Sequence, residues 1–340
     1  MDRFLVTGGA GFIGSAWVRQ ALADPSVRRL VVLDKLTYAG NLANLEPVAH
    51  DPRFRFVRGD IADEATVAAL FREEQFDAVL NFAAESHVDR SLFDPAAFLR
   101  TNVEGVRVLL EASRAHGVKR FLQVSTDEVY GAVLSGQSLE SDPLRPSSPY
   151  SAAKAGGDLL ALAYHTTYGL DVVVTRGANT IGPYQFPEKA TPLFITNALD
   201  NQPLPVYGDG RAVRDYLYVE DHCRALTVAL RRGRAGEVYN IGNNLEIDTL
   251  TLARAILDLL GRPHSLIRLV SDRPGHDRRY SVESSKLRAL GWQPQYGFAE
   301  MLALTVAWYR AHEAWWRPLR AGEFRAFYQA LYGSRLGLSS

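Results

Sequence analysis

Two acidic residues, Asp127 and Glu128, stand side by side directly after the apolar run Phe121-Leu122-Gln123-Val124 and the hydroxyl pair Ser125-Thr126. Adjacent carboxylates repel, and in a dry setting they cannot both ionise easily, so one is expected to keep its proton near neutral pH. That would set an acid beside a base. Side chains alternate along a strand, so both can face one partner only if the strand ends at Thr126. A second pair follows at Tyr150 and Lys154 in "YSAAK", one helical turn apart and therefore on one face. The ammonium is expected to lower the phenol's pKa, and a poised phenolate can take a proton from an alcohol while hydride leaves its carbon.

Hydride chemistry needs an acceptor, and the first residues supply a place for one. "VTGGAGFIG" follows a short apolar run and opens a helical pattern, with Gly8, Gly11 and Gly14 spaced three apart. Glycines there allow a tight turn and close approach of a pyrophosphate to helix N–H groups. Asp34 lies twenty residues after Gly14, at the end of "RLVVLD", where a carboxylate can bind both ribose hydroxyls and repel a 2′-phosphate. The expected cofactor is therefore NAD rather than NADP. The positive nicotinamide would lower the Tyr150 phenol further. Asp60, after "FVRG", is expected to face the adenine or to cap the following helix.

Short β-rich runs ("FLVTGG", "RLVVLD", "FRFVRGD", "FDAVLNFAAE", "RFLQVST", "DVVVTRGAN", "GEVYNIG") alternate with helical stretches, one over roughly 98–116 and a long one from Tyr150. Such alternation predicts an α/β fold, a doubly wound parallel sheet of the Rossmann type that binds NAD. A smaller C-terminal substrate-binding domain completes it. The expected division is 1–178, joined by approximately 212–249, for NAD, with 179–211 and 250–340 for the substrate. The stretch 180–210, with Pro183, Pro187, Pro192, Pro203 and Pro205, fits no regular strand–helix repeat. At 340 residues with 38 basic and 38 acidic side chains, the chain offers no net charge to attract nucleic acid or an anionic membrane. The one cysteine, Cys223, allows no internal disulfide and reads as a buried side chain, in keeping with a reducing cytoplasm. Phe4-Leu5-Val6 is too short for a signal peptide, and no apolar run has membrane-spanning length. The histidines show no metal-ligand spacing, so no metal is expected.

"TGGAGFIG", the strand-end Ser/Thr and "YSAAK" together resemble the extended short-chain dehydrogenase/reductase family, whose members act on nucleotide sugars. "STDEVYG", "AAESHVDRS", "GPYQFPEK" and "DRPGHDRRY" further resemble its dTDP-glucose 4,6-dehydratases, and the likeness runs through essentially the whole chain. The resemblance implies oxidation of dTDP-glucose at carbon 4, loss of water across carbons 5 and 6, and return of the hydride to carbon 6. NAD would be held tightly and recycled. It implies Tyr150 and Lys154 for the oxidation, Thr126 on the carbon 4 oxygen, Glu128 as base and protonated Asp127 as acid. Cofactor contacts would come from Gly8, Gly11, Phe12, Ile13 and Gly14, then Asp34, Lys35, Thr37, Asp60 and Ile61. Phe82, Ala83, Ala84, Thr101 and Thr180 would join them. Ser86 would touch the sugar, with His87 structural. Asn179, Glu188 and Lys189 would line the sugar–diphosphate path, Tyr207 would lie near the base, and Pro205, Arg214, Thr249, Arg273, His276 and Tyr280 would complete substrate binding. A homodimer through the Tyr150 helix is the family-level expectation.

Two departures stand out. Bacterial members usually read Asn-Asn-Tyr at Asn179-Thr180-Ile181, and often carry a polar amide at Thr249. Both bear on cofactor retention and sugar fit rather than on reaction type. A 4-epimerase would share fold, glycines and Tyr/Lys pair, yet has no use for an acid–base pair at carbons 5 and 6. A non-catalytic NAD-binding protein has no use for a poised phenol. Another nucleotide-sugar 4,6-dehydratase is the remaining alternative.

Overall fold

The structure, a computed structural model, describes residues 1–337. The strands are β1 (Arg3–Thr7), β2 (Arg29–Asp34), β3 (Phe54–Arg58), β4 (Ala78–Asn81), β5 (Arg120–Thr126) and β6 (Val172–Gly177). They continue with β7 (Asn179–Ile181), β8 (Leu204–Tyr207), β9 (Val213–Tyr218), β10 (Glu237–Ile241), β11 (Glu246–Asp248) and β12 (Ile267–Val270). Seven form one sheet in the order β10-β6-β5-β4-β1-β2-β3, every pairing parallel. The order reverses at β1, and the crevice at such a switch point is where open sheets bind ligands.

The helices that matter are α1 (Phe12–Leu22), α2 (Glu64–Glu73), α3 (Val88–Phe93), α4 (Pro95–Leu99), α5 (Gly105–Ala115) and α6 (Pro149–Tyr168). After them come α7 (Ala190–Leu199), α8 (Val219–Arg232), α9 (Thr249–Leu260), α10 (Ser285–Ala289), α11 (Phe298–Ala311), α12 (Glu313–Trp316) and α13 (Glu323–Leu336). Strand alternation splits the large sheet's apolar residues between two cores. Phe4, Val6, Leu30, Val32 and Leu122 pack under α1 and α8, while Leu5, Val31, Leu33, Val79 and Phe121 pack under α2, α5 and α6. A sheet covered on both faces is why the strands read as continuous apolar runs. Cys223 is 1 % exposed on α8, in the first of these cores, and burial pushes its thiol up.

A third core gathers Ile181, Phe194, Tyr216, Ile256, Met301, Tyr309 and Trp316 around a three-stranded sheet, β11-β9-β7, beside the pair β12-β8. Within 212–249, α8 and β10 therefore pack with the large sheet, whereas β9 and β11 belong to the small one. The proline-rich stretch holds a ten-residue helix after all: α7, with Pro192 in its first turn, where a missing N–H costs nothing. The helix expected over 98–116 is broken instead by a π-helical turn, Arg100–Glu104. There Asn102 exchanges two hydrogen bonds of 3.0 Å with the Glu85 main chain. Among the described residues no helix is long and apolar enough to cross a membrane.

Candidate active site

β1 turns into α1 through Gly8, whose φ of +67° favours glycine. A Cβ on Gly8 would lie 2.5 Å from Ala83 N, and one on Gly14 would lie 2.4 Å from Gly8 O. The turn is thus closed to side chains and seats α1 against the sheet. Gly11 begins α1 with no side-chain cap, which leaves the first helical N–H groups, at Phe12 and Ile13, facing the cleft they line. That is a cradle for a diphosphate. Asp34 accepts from Ala10 N at 2.9 Å and Leu36 N at 2.8 Å, and burial outweighs these donors to raise its pKa. Asp60 bonds Lys35 Nζ at 2.9 Å and Ala62 N at 2.9 Å, while the cap of α2 is Asp63. These residues fit a dinucleotide with an unphosphorylated ribose.

β5 does end at Thr126, and Asp127–Tyr130 form one tight 3₁₀ turn whose cap is the Thr126 hydroxyl, accepting from Glu128 N at 3.3 Å. The turn lets the two acids leave the strand in different directions. Glu128 lines the cleft with Thr126. Asp127 is not among the lining residues; it is 1 % exposed, its Oδ1 accepts from the Thr126 hydroxyl at 3.3 Å, and its Oδ2 has no partner. Burial first, then the charges of Glu128 and Asp215, hold the Asp127 carboxyl well above the usual range. Asp215, from β9, is itself fixed by the N–H groups of Asn243, Asn244 and Leu245.

α6 starts with a capping box between Ser148 and Ser151, and places Tyr150 and Lys154 on its buried face. Lys154 Nζ donates to Val124 O at 2.7 Å, and burial brings its pKa down to about 8. The expected lowering of the Tyr150 phenol is reversed in the protein alone: burial, with the Glu128 charge, drives it well above 10. Desolvating a phenolate beside a carboxylate outweighs one ammonium that is engaged with a carbonyl.

Apart from Asp127, every site residue named from the sequence lines this one cleft. Lys189 Nζ donates to Ser86 O at 2.5 Å, and Glu188 accepts from Arg90 Nε at 3.1 Å. Thr180 Oγ1 lies 2.8 Å from His222 Nδ1, whose ring burial keeps neutral, with a pKa of about 4. Ile181 continues from the cleft wall into the third core. His87 is buried, with Nε2 3.5 Å from Glu188 O, and its pKa falls well below the ordinary value.

The four basic residues of "DRPGHDRRY" divide. Arg273 pairs with Asp89 at 3.0 Å and His276 with Asp272 at 2.7 Å, both beside the cleft. Arg278 and Arg279 turn away to Asp209 and Glu246. Arg214 differs from all of them. It is 8 % exposed and donates to two carbonyls, Val213 O at 2.8 Å and Asp277 O at 3.0 Å, and among the described residues no salt bridge pairs it. A buried guanidinium held by carbonyls and by the face of the Tyr280 ring, 4.2 Å away, with no carboxylate partner, leaves its charge for an anion. The cleft also includes Glu85, Asp89, Phe186, His222 and Tyr332, to which the sequence reading gave no role. Asp89 and Phe186 lie inside "AAESHVDRS" and "GPYQFPEK", so the signal was there; Tyr332 had none.

Residues 5–305 match the family profile described as GDP-mannose 4,6 dehydratase. The dTDP-glucose 4,6-dehydratase of Streptomyces niveus is 53% identical over 324 residues, 94% of this chain and 96% of its own length. The chain belongs to the dTDP-glucose 4,6-dehydratase family. A crystal structure of DesIV, the dTDP-glucose 4,6-dehydratase of Streptomyces venezuelae, with NAD and TYD bound, superposes with a TM-score of 0.91 at 54% identity. It covers 93% of this chain and 99% of that one. The UDP-glucose 4-epimerase of Thermus thermophilus, in complex with NAD, reaches a TM-score of 0.84 at 34% identity, over 91% of this chain and 99% of its own. Fold is shared with epimerases; the closer sequence match lies with dTDP-glucose 4,6-dehydratases. Among the described residues no group of three or more His, Cys, Asp or Glu could hold a metal ion.

Proposed function

We propose that the protein converts dTDP-glucose to dTDP-4-keto-6-deoxyglucose, using tightly bound NAD that is regenerated in each turnover. The Gly8–Gly14 turn and Asp34 would hold NAD, which would supply a hydride acceptor for carbon 4 of the sugar and, once reduced, a hydride donor for carbon 6. With the positive nicotinamide beside it to offset burial, Tyr150 would ionise and, as phenolate, accept the carbon 4 hydroxyl proton while the Thr126 hydroxyl fixes that oxygen, and Lys154 sits one turn below on the same helical face. The new ketone acidifies carbon 5, from which Glu128 takes the proton and to which it gives the proton back once the hydride has reached carbon 6. Asp127 supplies its own proton to the carbon 6 hydroxyl, which leaves as water; its unpartnered Oδ2 is the oxygen assigned to that task, and the side chain must turn toward the cleft to deliver it. Arg214 and Arg273 meet the diphosphate, and Tyr207 lies toward the base.

One observation carries this reading. The cleft that holds the glycine cradle also holds Thr126, Glu128, Tyr150 and Lys154, with a carboxyl whose pKa is raised by burial directly behind them. An epimerase needs only the phenol. Incubating the purified protein with a panel of nucleotide sugars and weighing the products tests it. Loss of one water from dTDP-glucose is expected, while conversion to an isomer of equal mass, or no conversion of any sugar, would reject the reading.

Residues 1–178 with α8 and β10 are proposed as the NAD-binding part, and 179–211 with 250–337 as the nucleotide-sugar part. A homodimer through α6 is supported by Leu159 and Tyr168, 58% and 54% exposed on that helix. A cytoplasmic setting is the reading that a single, buried cysteine supports.

A further inference from the structure

Arg90 has no part in the chemistry above, yet it ties together more of the cleft wall than any residue assigned a role. It lies on α3, immediately after His87, Val88 and Asp89, which line the cleft. Its Nε donates to Glu188 Oε2 at 3.1 Å, and Glu188 belongs to a second wall segment, 185–191. Its guanidinium carbon sits 3.7 Å from the centre of the Tyr38 ring, and Tyr38 belongs to the loop that carries Asp34, Lys35, Thr37 and Gly40 on its cleft side. From its other edge Nη1 reaches Glu323 Oε1 at 2.8 Å, and the Phe327 ring lies 4.3 Å away, both on α13.

Three wall segments and the last helix therefore meet on one side chain, 16 % exposed. The Tyr38 ring also packs edge-on to Phe186, 5.4 Å between centroids, which joins the cofactor loop to the second segment. Tyr38 and Arg90 do not themselves line the cleft; they bridge behind its walls. Burial and the Glu188 charge push the Tyr38 phenol well up, so that ring stays neutral against the guanidinium. Glu188, expected from the sequence to meet substrate, already has an oxygen engaged by Arg90.

We infer that Tyr38, Arg90 and Glu188 form a latch that closes the cofactor loop over the dinucleotide and sets how fast it enters and leaves. The inference rests on the proposed NAD site, though not on the dehydration. For a bound dinucleotide to escape past residues 34–40, the loop must part from 185–191, and the contacts that resist parting converge on Arg90. One cation–π contact and one largely buried ion pair are enough to change an opening rate by about tenfold. Gating contacts of this kind act on both directions of exchange, because they stabilise the closed wall with or without a ligand behind it.

The test uses the full chain carrying its co-purified dinucleotide. Exchange of bound NAD against isotopically labelled NAD⁺ is followed for the native protein, Arg90→Met and Tyr38→Leu, and association is timed on stripped protein. The latch predicts that both variants release and rebind NAD about tenfold faster, with little change in Kd. Equal exchange rates in native and variant proteins would overturn it. So would faster release with an unchanged association rate, which would make Arg90 a simple binding contact. Should Arg90→Met fail to fold, Tyr38→Leu, a substitution of a half-buried side chain, decides by the same criteria. A protein that retains NAD but dehydrates no sugar would reject the proposed function and leave the latch test intact.

Discussion

The two halves of the cleft hold their ligands by opposite means. On the cofactor side the chain offers main-chain N–H groups at an uncapped helix start, with glycines that clear the way and one carboxylate braced by backbone donors. On the sugar side it offers charged side chains partly or wholly withdrawn from water: half-buried Glu128, Lys189 and Arg273 and buried Arg214, with Asp127 just behind. A backbone cradle is always in place and cannot titrate. A buried set of charges is tuned by its neighbours, and each member depends on which partners the fold brings to it. The first arrangement suits a group that stays, the second a group that must react and depart.

The strongest way to break this contrast is to remove the phenol where the halves meet. Tyr150→Phe is expected to lower turnover at least about a hundredfold, with neither carbon 4 oxidation nor water loss. Rapid mixing with dTDP-glucose checks both, and near-normal appearance of either would remove Tyr150 from the chemistry. Glu128→Gln should separate the steps. Reduced nicotinamide should build up on mixing while water loss falls about a hundredfold or more, and undiminished dehydration would reject Glu128 as the base.

A milder comparison lies among the arginines. Arg214→Met should raise KM for the nucleotide sugar about tenfold or more, because it removes the one buried guanidinium of that cluster with no carboxylate of its own. Arg278→Met should change it little, since that side chain is exposed and paired with Asp209. Equal effects would show that the diphosphate is read by the cluster as a whole.

The smallest effect concerns stability. Lys154 titrates near 8 when folded, against an ordinary 10.5. Between those values the unfolded chain binds more protons, so stability should rise with pH from about 8 to 10.5. Lys154→Met should flatten that rise and leave the protein more stable than its parent below pH 8, at the expense of activity. Urea unfolding at several pH values reads both slopes; parallel slopes would mean that the ammonium is not desolvated.

What could be read from the sequence was what is settled locally. The end of β5 at Thr126, the shared face of Tyr150 and Lys154, and the turn at Gly8 each depend on neighbours within a few residues. The electrostatic setting of Asp127 does not, because part of what raises its pKa is the charge of Asp215 from β9, and Asp215 accepts from the main chain of 243–245. Arg273, His276, Arg278 and Arg279 stand within seven residues of one another in "DRPGHDRRY". Their separation follows from Asp89, Asp209 and Glu246, acids that only the fold brings near. The π-helical turn at 100–104 was invisible for the same reason: its Asn102 answers to Glu85, on another segment.

Cys223, on the buried face of α8, has one further practical meaning. It is the chain's sole thiol and is 1 % exposed, so a maleimide dye finds no native target on the folded molecule. A single cysteine introduced at an exposed position such as Leu304 or Leu134 would then take the label alone. Fluorescence could in that way report domain movements without first rebuilding the background.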